Sequence, residues 1–297
     1  MSTLPLVRKL NTYARGVLAM IASAALFSVM SALIRLATNI NSFQMAFFRF
    51  IIGMTILLSL ALAGKIKLRF NNRKVLAVRG VTGGLAVFLF YLSIEKIGLA
   101  KGTVISNTYP LFATFLGIFW LKEQVKPLAW IPVITCLSGI SLLSYDGSLN
   151  SFSIDVWEAL ALSGSLFSGI AVVSVRKLAS TDSPHSIYLS QCVIGAWMAI
   201  LPANVESPQI GLLGVFLLLS VGLIATVAQI MMTWAYGRID VSTGSLLSML
   251  MAVFNVVIGV TFFREAQNIV GILGMIIVIL SCAWIVFINS RPVSLSD

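Results

Sequence analysis

Ten apolar runs of bilayer length dominate the sequence, at about 16–37, 43–62, 75–94, 102–121, 127–144, 156–176, 185–202, 210–236, 241–263 and 268–288. Once in lipid, such a run must satisfy its own backbone hydrogen bonds, which leaves only the α-helix or the closed β-barrel. Barrel strands need about 9–11 residues of alternating polarity, and no such alternation runs through the chain. The predicted fold is an all-α polytopic membrane protein with ten transmembrane helices. Composition agrees: AVILMFWYC make up 59% of the 297 residues and DEKR only 10%, against about 25% charged in a soluble domain. Arg8, Lys9 and Arg15 precede the first run without a small-residue cleavage site, so it reads as a first span rather than a cleaved signal.

The formal charge of +10 sorts by side of the membrane. Of the 20 Lys and Arg, 15 fall on one side: Arg8, Lys9, Arg15, Lys65, Lys67, Arg69, Arg73, Lys74, Arg79, Lys122, Lys126, Arg176, Lys177, Arg238 and Arg291. Lys96, Lys101 and Arg264 fall on the other, and Arg35 and Arg49 lie within spans. The positive-inside rule then makes both termini cytoplasmic, which an even number of spans also requires. Orientation explains the excess charge without a nucleic-acid partner, and the expected partners are the lipid bilayer and a small-molecule solute. Cys136, Cys192 and Cys282 are isolated, and His185 is the only histidine. No disulfide framework, metal centre or other cofactor is expected.

An internal repeat organises the spans. The stretch IGLAKGTVISNTYPLFATFLGIFWLKE (97–123) matches IDVSTGSLLSMLMAVFNVVIGVTFFRE (239–265) at an offset of 142. Gly102 falls on Gly244, Phe112 on Phe254, Gly117 on Gly259, Lys122 on Arg264 and Glu123 on Glu265; Arg49 falls on Gln191, and Pro110 on Ala252. The expected organisation is a cytoplasmic tail (1–15), a first repeat (16–144), an external linker (145–155), a second repeat (156–288) and a cytoplasmic tail (289–297). Five spans per repeat force the two copies into inverted topology, the arrangement of carriers that work by alternating access.

The AFFRF stretch (46–50), the run from Ala100-Lys101-Gly102-Thr103 through Pro110 to Glu123, and its partner from Ser242 to Glu265 resemble the drug/metabolite transporter superfamily, in its EamA-domain branch. The resemblance covers residues 16–288. It implies a carrier of small organic solutes with a central cavity lined by spans 1, 3, 4, 6, 8 and 9, spans 5 and 10 being peripheral.

Polar side chains at mid-membrane depth are costly unless they serve a site or a helix contact. Candidate solute-binding residues are Asn107, Tyr109, Asn255, Gln229, Tyr91, Trp234 and Arg49. Pro110 frees a carbonyl one turn earlier and predicts a helix break; its counterpart Ala252 predicts none. Glu123 and Glu265 are read as hinges capping spans 5 and 10. Arg49 suits gripping a carboxylate or phosphate, a tie to a neighbouring carbonyl, or snorkelling. Gly271 and Gly274 offer a smooth face on span 10, so the chain is expected as a monomer or a homodimer.

The leading expectation is a secondary transporter of neutral or zwitterionic metabolites or drugs in a bacterial inner membrane, working by export or exchange. A proton-coupled carrier using Glu158, Glu95 or His185 is the alternative, and a membrane-embedded enzyme or a channel is the alternative of another class. Clustered His, Asp or Glu would mark an enzyme, and none is present.

Overall fold

The computed structural model describes residues 3–37, 40–97, 99–143, 155–203, 211–264 and 268–290, and these are almost wholly helical, without a strand. In chain order the helices are α1 (Thr3–Leu36), α2 (Ser42–Leu62), α3 (Arg73–Ile97), α4 (Leu99–Ser106), α5 (Tyr109–Leu121), α6 (Trp130–Leu143), α7 (Val156–Leu178), α8 (Pro184–Ala203), α9 (Leu212–Tyr236), α10 (Val241–Ser248), α11 (Leu250–Phe263) and α12 (Ile269–Ser290). Eight stretches of the described chain are long and apolar enough to cross a membrane: Asn11–Leu36, Phe43–Leu62, Arg73–Ile97, Gly102–Leu121, Val156–Leu178, Leu212–Tyr236, Val241–Phe263 and Ile269–Ser290. Pro127–Leu143 is a shorter apolar helix. α8 is a continuous helix where the seventh span was expected. The expected linker 145–155 lies outside the described residues except for Asp155, which caps α7.

The fourth predicted span is interrupted where Pro110 predicts it. Asn107 and Thr108 form a turn between α4 and α5, and Pro110 sits in the first turn of α5, where its missing N–H costs nothing. The ninth span is interrupted as well, at Met249, which corrects the expectation drawn from Ala252. Here the cause is a serine ladder: Ser245 donates to the Ser242 carbonyl and Ser248 to the Ser245 carbonyl, each three residues back. The Met249 amide accordingly turns to Leu246, and the Ala252 amide to Met249, in tight three-residue steps.

The two broken helices also end alike. Lys122 (φ 55°) and Arg264 (φ 54°) are left-handed caps, their amides reaching the carbonyls of Gly117 and Gly259. Both pairs stand 142 positions apart.

Packing follows the same pairing. α3 packs on α7 as α1 packs on α9; α3 meets α8 as α9 meets α2; α5 lies on α7 as α11 lies on α1; α2 faces α8, and α6 faces α12. Large apolar side chains such as Phe216, Leu219, Leu223, Leu273 and Leu280 are exposed, as lipid-facing surfaces require. Gly274 is not one of them. It is buried against Gly139 of α6, so the small-residue face expected to serve a dimer is consumed within the chain.

Candidate functional site

The two helix interruptions meet in the interior. The Tyr109 hydroxyl, at the first residue of α5, bonds to Ser248 at the end of α10 and donates to the Ser245 carbonyl at 3.3 Å. Thr108 pairs with Ser165 of α7 at 2.8 Å, so this break is bonded to both α7 and α10. Tyr236, fully buried at the end of α9, presses its ring on Gly244 and brings its hydroxyl to the Tyr109 hydroxyl. It lies within electrostatic reach of Tyr109 and Arg79. A polar seam therefore joins the two interruptions in the bundle interior.

The remaining predicted residues divide. Asn107 is half-buried at the α4/α5 break. Asn255 is half-buried in α11, and among the described residues its enclosed Oδ1 and the Gln229 Nε2 in α9 have no hydrogen-bond partner. Tyr91 is elsewhere: it meets Phe43 edge-on and Phe90 at a tilt, and lines an apolar crevice between α2, α3 and α8 with Phe50 and Phe88. Trp234 belongs to the end of α9, with the Arg238 guanidinium 3.3 Å above its ring and bonded to its carbonyl. Arg49 is buried in α2 against Phe50. Pro110 is buried in the break, and Glu265 lies outside the described residues.

An unpartnered amide oxygen or nitrogen in a dry interior is costly unless water or a solute completes it. Asn107→Ala and Asn255→Ala are therefore expected to lower solute transport at least about fivefold per folded molecule. Folded yield should change far less, because an interhelical hydrogen bond in a membrane is worth only about 0.6 kcal/mol. Transport by reconstituted variants, normalised to monodisperse protein, checks both.

Glu123 takes a different role from the one its position suggests. It does not cap α6. One carboxylate oxygen accepts from the Arg176 Nε of α7 at 3.0 Å and the other from the Val241 amide at the start of α10 at 3.1 Å. Arg176 also donates to the Tyr236 carbonyl at 3.0 Å, and Asp240 caps α10 while accepting from Asn289 of α12. One end of the bundle is thereby tied across α5, α7, α9, α10 and α12. Burial pushes the Glu123 carboxyl above its usual range, and the bonds from Val241 and Arg176 pull it partly back. At the opposite end, Arg35 stands over the Phe263 ring at 4.4 Å.

Sequence reasoning missed Arg79 and Gln191. Arg79 was counted with the basic loop residues, yet it is 3% exposed and donates to Gln191 Oε1 at 2.7 Å. Its position six residues past Arg73, already within an apolar run beside Gly80, Gly83 and Gly84, was the available signal.

The model of the EamA-like transporter family matches this chain twice, over residues 14–145 and 155–287. The chain is 24% identical over 277 residues to a pseudopaline exporter of Pseudomonas aeruginosa, spanning 90% of this chain and 94% of that protein. It is 24% identical over 291 residues to an S-adenosylmethionine uptake transporter of Rickettsia bellii, covering 96% and 98%. A solved crystal structure superposes with a TM-score of 0.76 at 16% identity, over 93% of this chain and 99% of that one, and shows the same fold. Apolar helices and bacterial relatives of this kind mark a multi-pass protein of the bacterial inner membrane. This chain belongs to the EamA-like transporter family.

Proposed function

We propose that the chain is a secondary transporter that carries a small organic solute by alternating access between two inverted five-helix repeats, 16–144 and 156–288, with ten spans and both termini cytoplasmic. The observation that carries this reading is the meeting of two interrupted helices, joined from Tyr109 to Ser245 and Ser248. Broken helices in corresponding positions are the device by which carriers hold solute near the midplane. The matched left-handed caps at Lys122 and Arg264, the doubled family match and the pairwise packing support the inverted duplication. Asn107, Tyr109, Asn255 and Gln229 are proposed to line the solute path, and the Glu123–Arg176–Val241 tie to close its cytoplasmic end.

Pseudopaline export and S-adenosylmethionine uptake are opposite directions of travel among the relatives. Direction is then a property of the gradient applied to a reversible cycle, and the chain is proposed to work by solute exchange or uniport, as an exporter when the solute is made inside. Counterflow of metabolites in proteoliposomes tests this. Saturable, trans-stimulated uptake is expected, whereas unsaturable conductance would mark a channel and sink the carrier reading.

A second reading, proton coupling, rests on Glu123. The acids favoured from sequence are engaged at the surface: Glu158 accepts from the Asp155 amide at 2.9 Å and Glu95 pairs with Lys96 at 2.9 Å. Glu123 is half-buried between α5, α7 and α10, and its raised carboxyl takes up a proton at a pH where an exposed glutamate stays ionised. Counterflow with and without an inward-acid pH gradient, at clamped potential, separates the readings. Exchange alone predicts no accumulation above equilibrium. Accumulation that appears with the gradient and disappears in Glu123→Gln would favour coupling.

A further inference from the structure

Two arginines lie inside the bundle with no carboxylate partner among the described residues. Arg49 of α2 is 9% exposed and Arg79 of α3 is 3% exposed. Arg49 is the eighth of 21 residues in its helix, and Arg79 lies along α3 toward Gly83, where a β-carbon would collide with its Nη1. Arg79 has one hydrogen bond, from Nη2 to Gln191, and its Nε is enclosed and unpartnered. Among the described residues Arg49 has no hydrogen bond; its Nε is also enclosed, and its nearest recorded neighbour is the Phe50 ring, 5.0 Å away. The two cations are within electrostatic reach of each other. The Tyr188 hydroxyl of α8 is buried beside Thr226 and Cys192, against Gly53 of α2, and interacts with Arg49.

A guanidinium does not give up its proton. Each one at the centre of a membrane helix costs about 2.5–3.5 kcal/mol even on the permissive insertion scale, and such residues ordinarily pair with a carboxylate. Here the described acids are engaged elsewhere: Glu95 with Lys96, Glu123 with Arg176, Asp155 and Glu158 at the start of α7, Asp182 with Asn71, and Asp240 with Thr243 and Asn289. The residue that does reach Arg79 is a neutral amide, which orients the guanidinium and leaves its charge uncancelled.

We propose that Arg49 and Arg79, with Gln191 holding Arg79 and the Tyr188 hydroxyl as a further donor, form a site for an oxyanion group, a carboxylate or phosphate carried by the transported solute. Two guanidiniums from α2 and α3 that keep unused donors, with a phenol from α8, suit two oxygens of one group, and the fork of a guanidinium matches them. The solute is then an anion or a zwitterion bound by its acidic end, and an organic cation is refused. That the ligand is transported rests on the carrier reading; that it binds does not.

The test is the thermal midpoint of the purified full-length protein in neutral detergent, at fixed ionic strength in chloride, with acetate, glutamate or inorganic phosphate exchanged in. At least one of the three is expected to raise the midpoint by about 3 °C or more, as a ligand selective for the folded state does, and Arg49→Gln should abolish the rise. Because substitution at either arginine also disturbs packing, Gln191→Glu is the second variant. It supplies the missing counter-charge from within the chain, so its midpoint without added anion should lie above that of the parent, and the anion response should vanish. A response to none of the three soluble anions, or a Gln191→Glu midpoint no higher than the parent's, overturns the site. So does a rise produced only by added phosphatidylglycerol, which would assign the group to a lipid. The midpoint is read without transport, so failure of counterflow would defeat the carrier reading alone.

Discussion

Gly274→Val is expected to leave little folded protein: the monodisperse fraction after detergent extraction should fall about tenfold or more. A β-carbon at Gly274 would stand 2.6 Å from the Gly139 carbonyl oxygen and 2.6 Å from the Leu143 amide nitrogen, and one at Gly139 would stand 2.9 Å from the Gly274 carbonyl oxygen. These are backbone atoms of the facing helix, so no rotamer change relieves the clash and α6 and α12 must separate. Overpacking a tight contact costs about 1–3 kcal/mol. Separation also breaks the 2.8 Å bond between Thr135 and Ser281 and leaves the 14-residue α6 without its principal neighbour. Gly211, with open space around it and ordinary backbone angles, supplies the control. Gly211→Val should extract as the parent does.

Glu123→Ala is expected to slow counterflow about tenfold or more per folded molecule, the scale of losing one well-placed charged contact. The substitution removes the partner of the half-buried Arg176 and the acceptor for the Val241 amide at once, and these are the contacts that tie α5 to α7 and α10. Glu123→Gln separates the two functions. Its amide oxygen can still accept from Val241 while the ion pair is gone, so an intermediate rate is expected. Rates equal to the parent in both variants would show that the tie takes no part in the cycle. A residue at the Glu123 end of the bundle, such as Lys177→Cys in a chain lacking the three native cysteines, should react faster with a thiol reagent in Glu123→Ala than in the parent.

The helices were legible in the sequence because lipid imposes one requirement on every spanning residue, and that requirement is written as apolarity. The break at Asn107 and Thr108 was legible because proline announces it. The break at Met249 was not, because it arises from Ser245 and Ser248 turning their hydroxyls to the carbonyls of Ser242 and Ser245, and serines spaced this way are also tolerated in unbroken helices. The interior contacts were half legible. Tyr109 adjoins the proline and reaches Ser245, whereas Tyr91, also chosen from the sequence, packs with Phe43 in the apolar crevice between α2, α3 and α8. Depth along a helix can be counted from the sequence, but the face a side chain takes cannot, when apolar residues surround it on all sides. Arg79 shows the same limit: a basic residue near a span end ordinarily marks the membrane surface, and only the neighbouring glycines hint that this one folds inward.

The bond from Arg79 to Gln191 also has a consequence for how the protein is made. The partners are 112 residues apart, so at synthesis rates of about 5–20 residues per second roughly 6–22 s separate their emergence from the ribosome. During that interval α3 rests in the bilayer with its guanidinium unsupported by the amide that later orients it. The nascent first half is then an unfinished object that waits on α8 for its interior polarity to be organised. Its exposure to quality-control proteases should lengthen whenever translation pauses between α3 and α8.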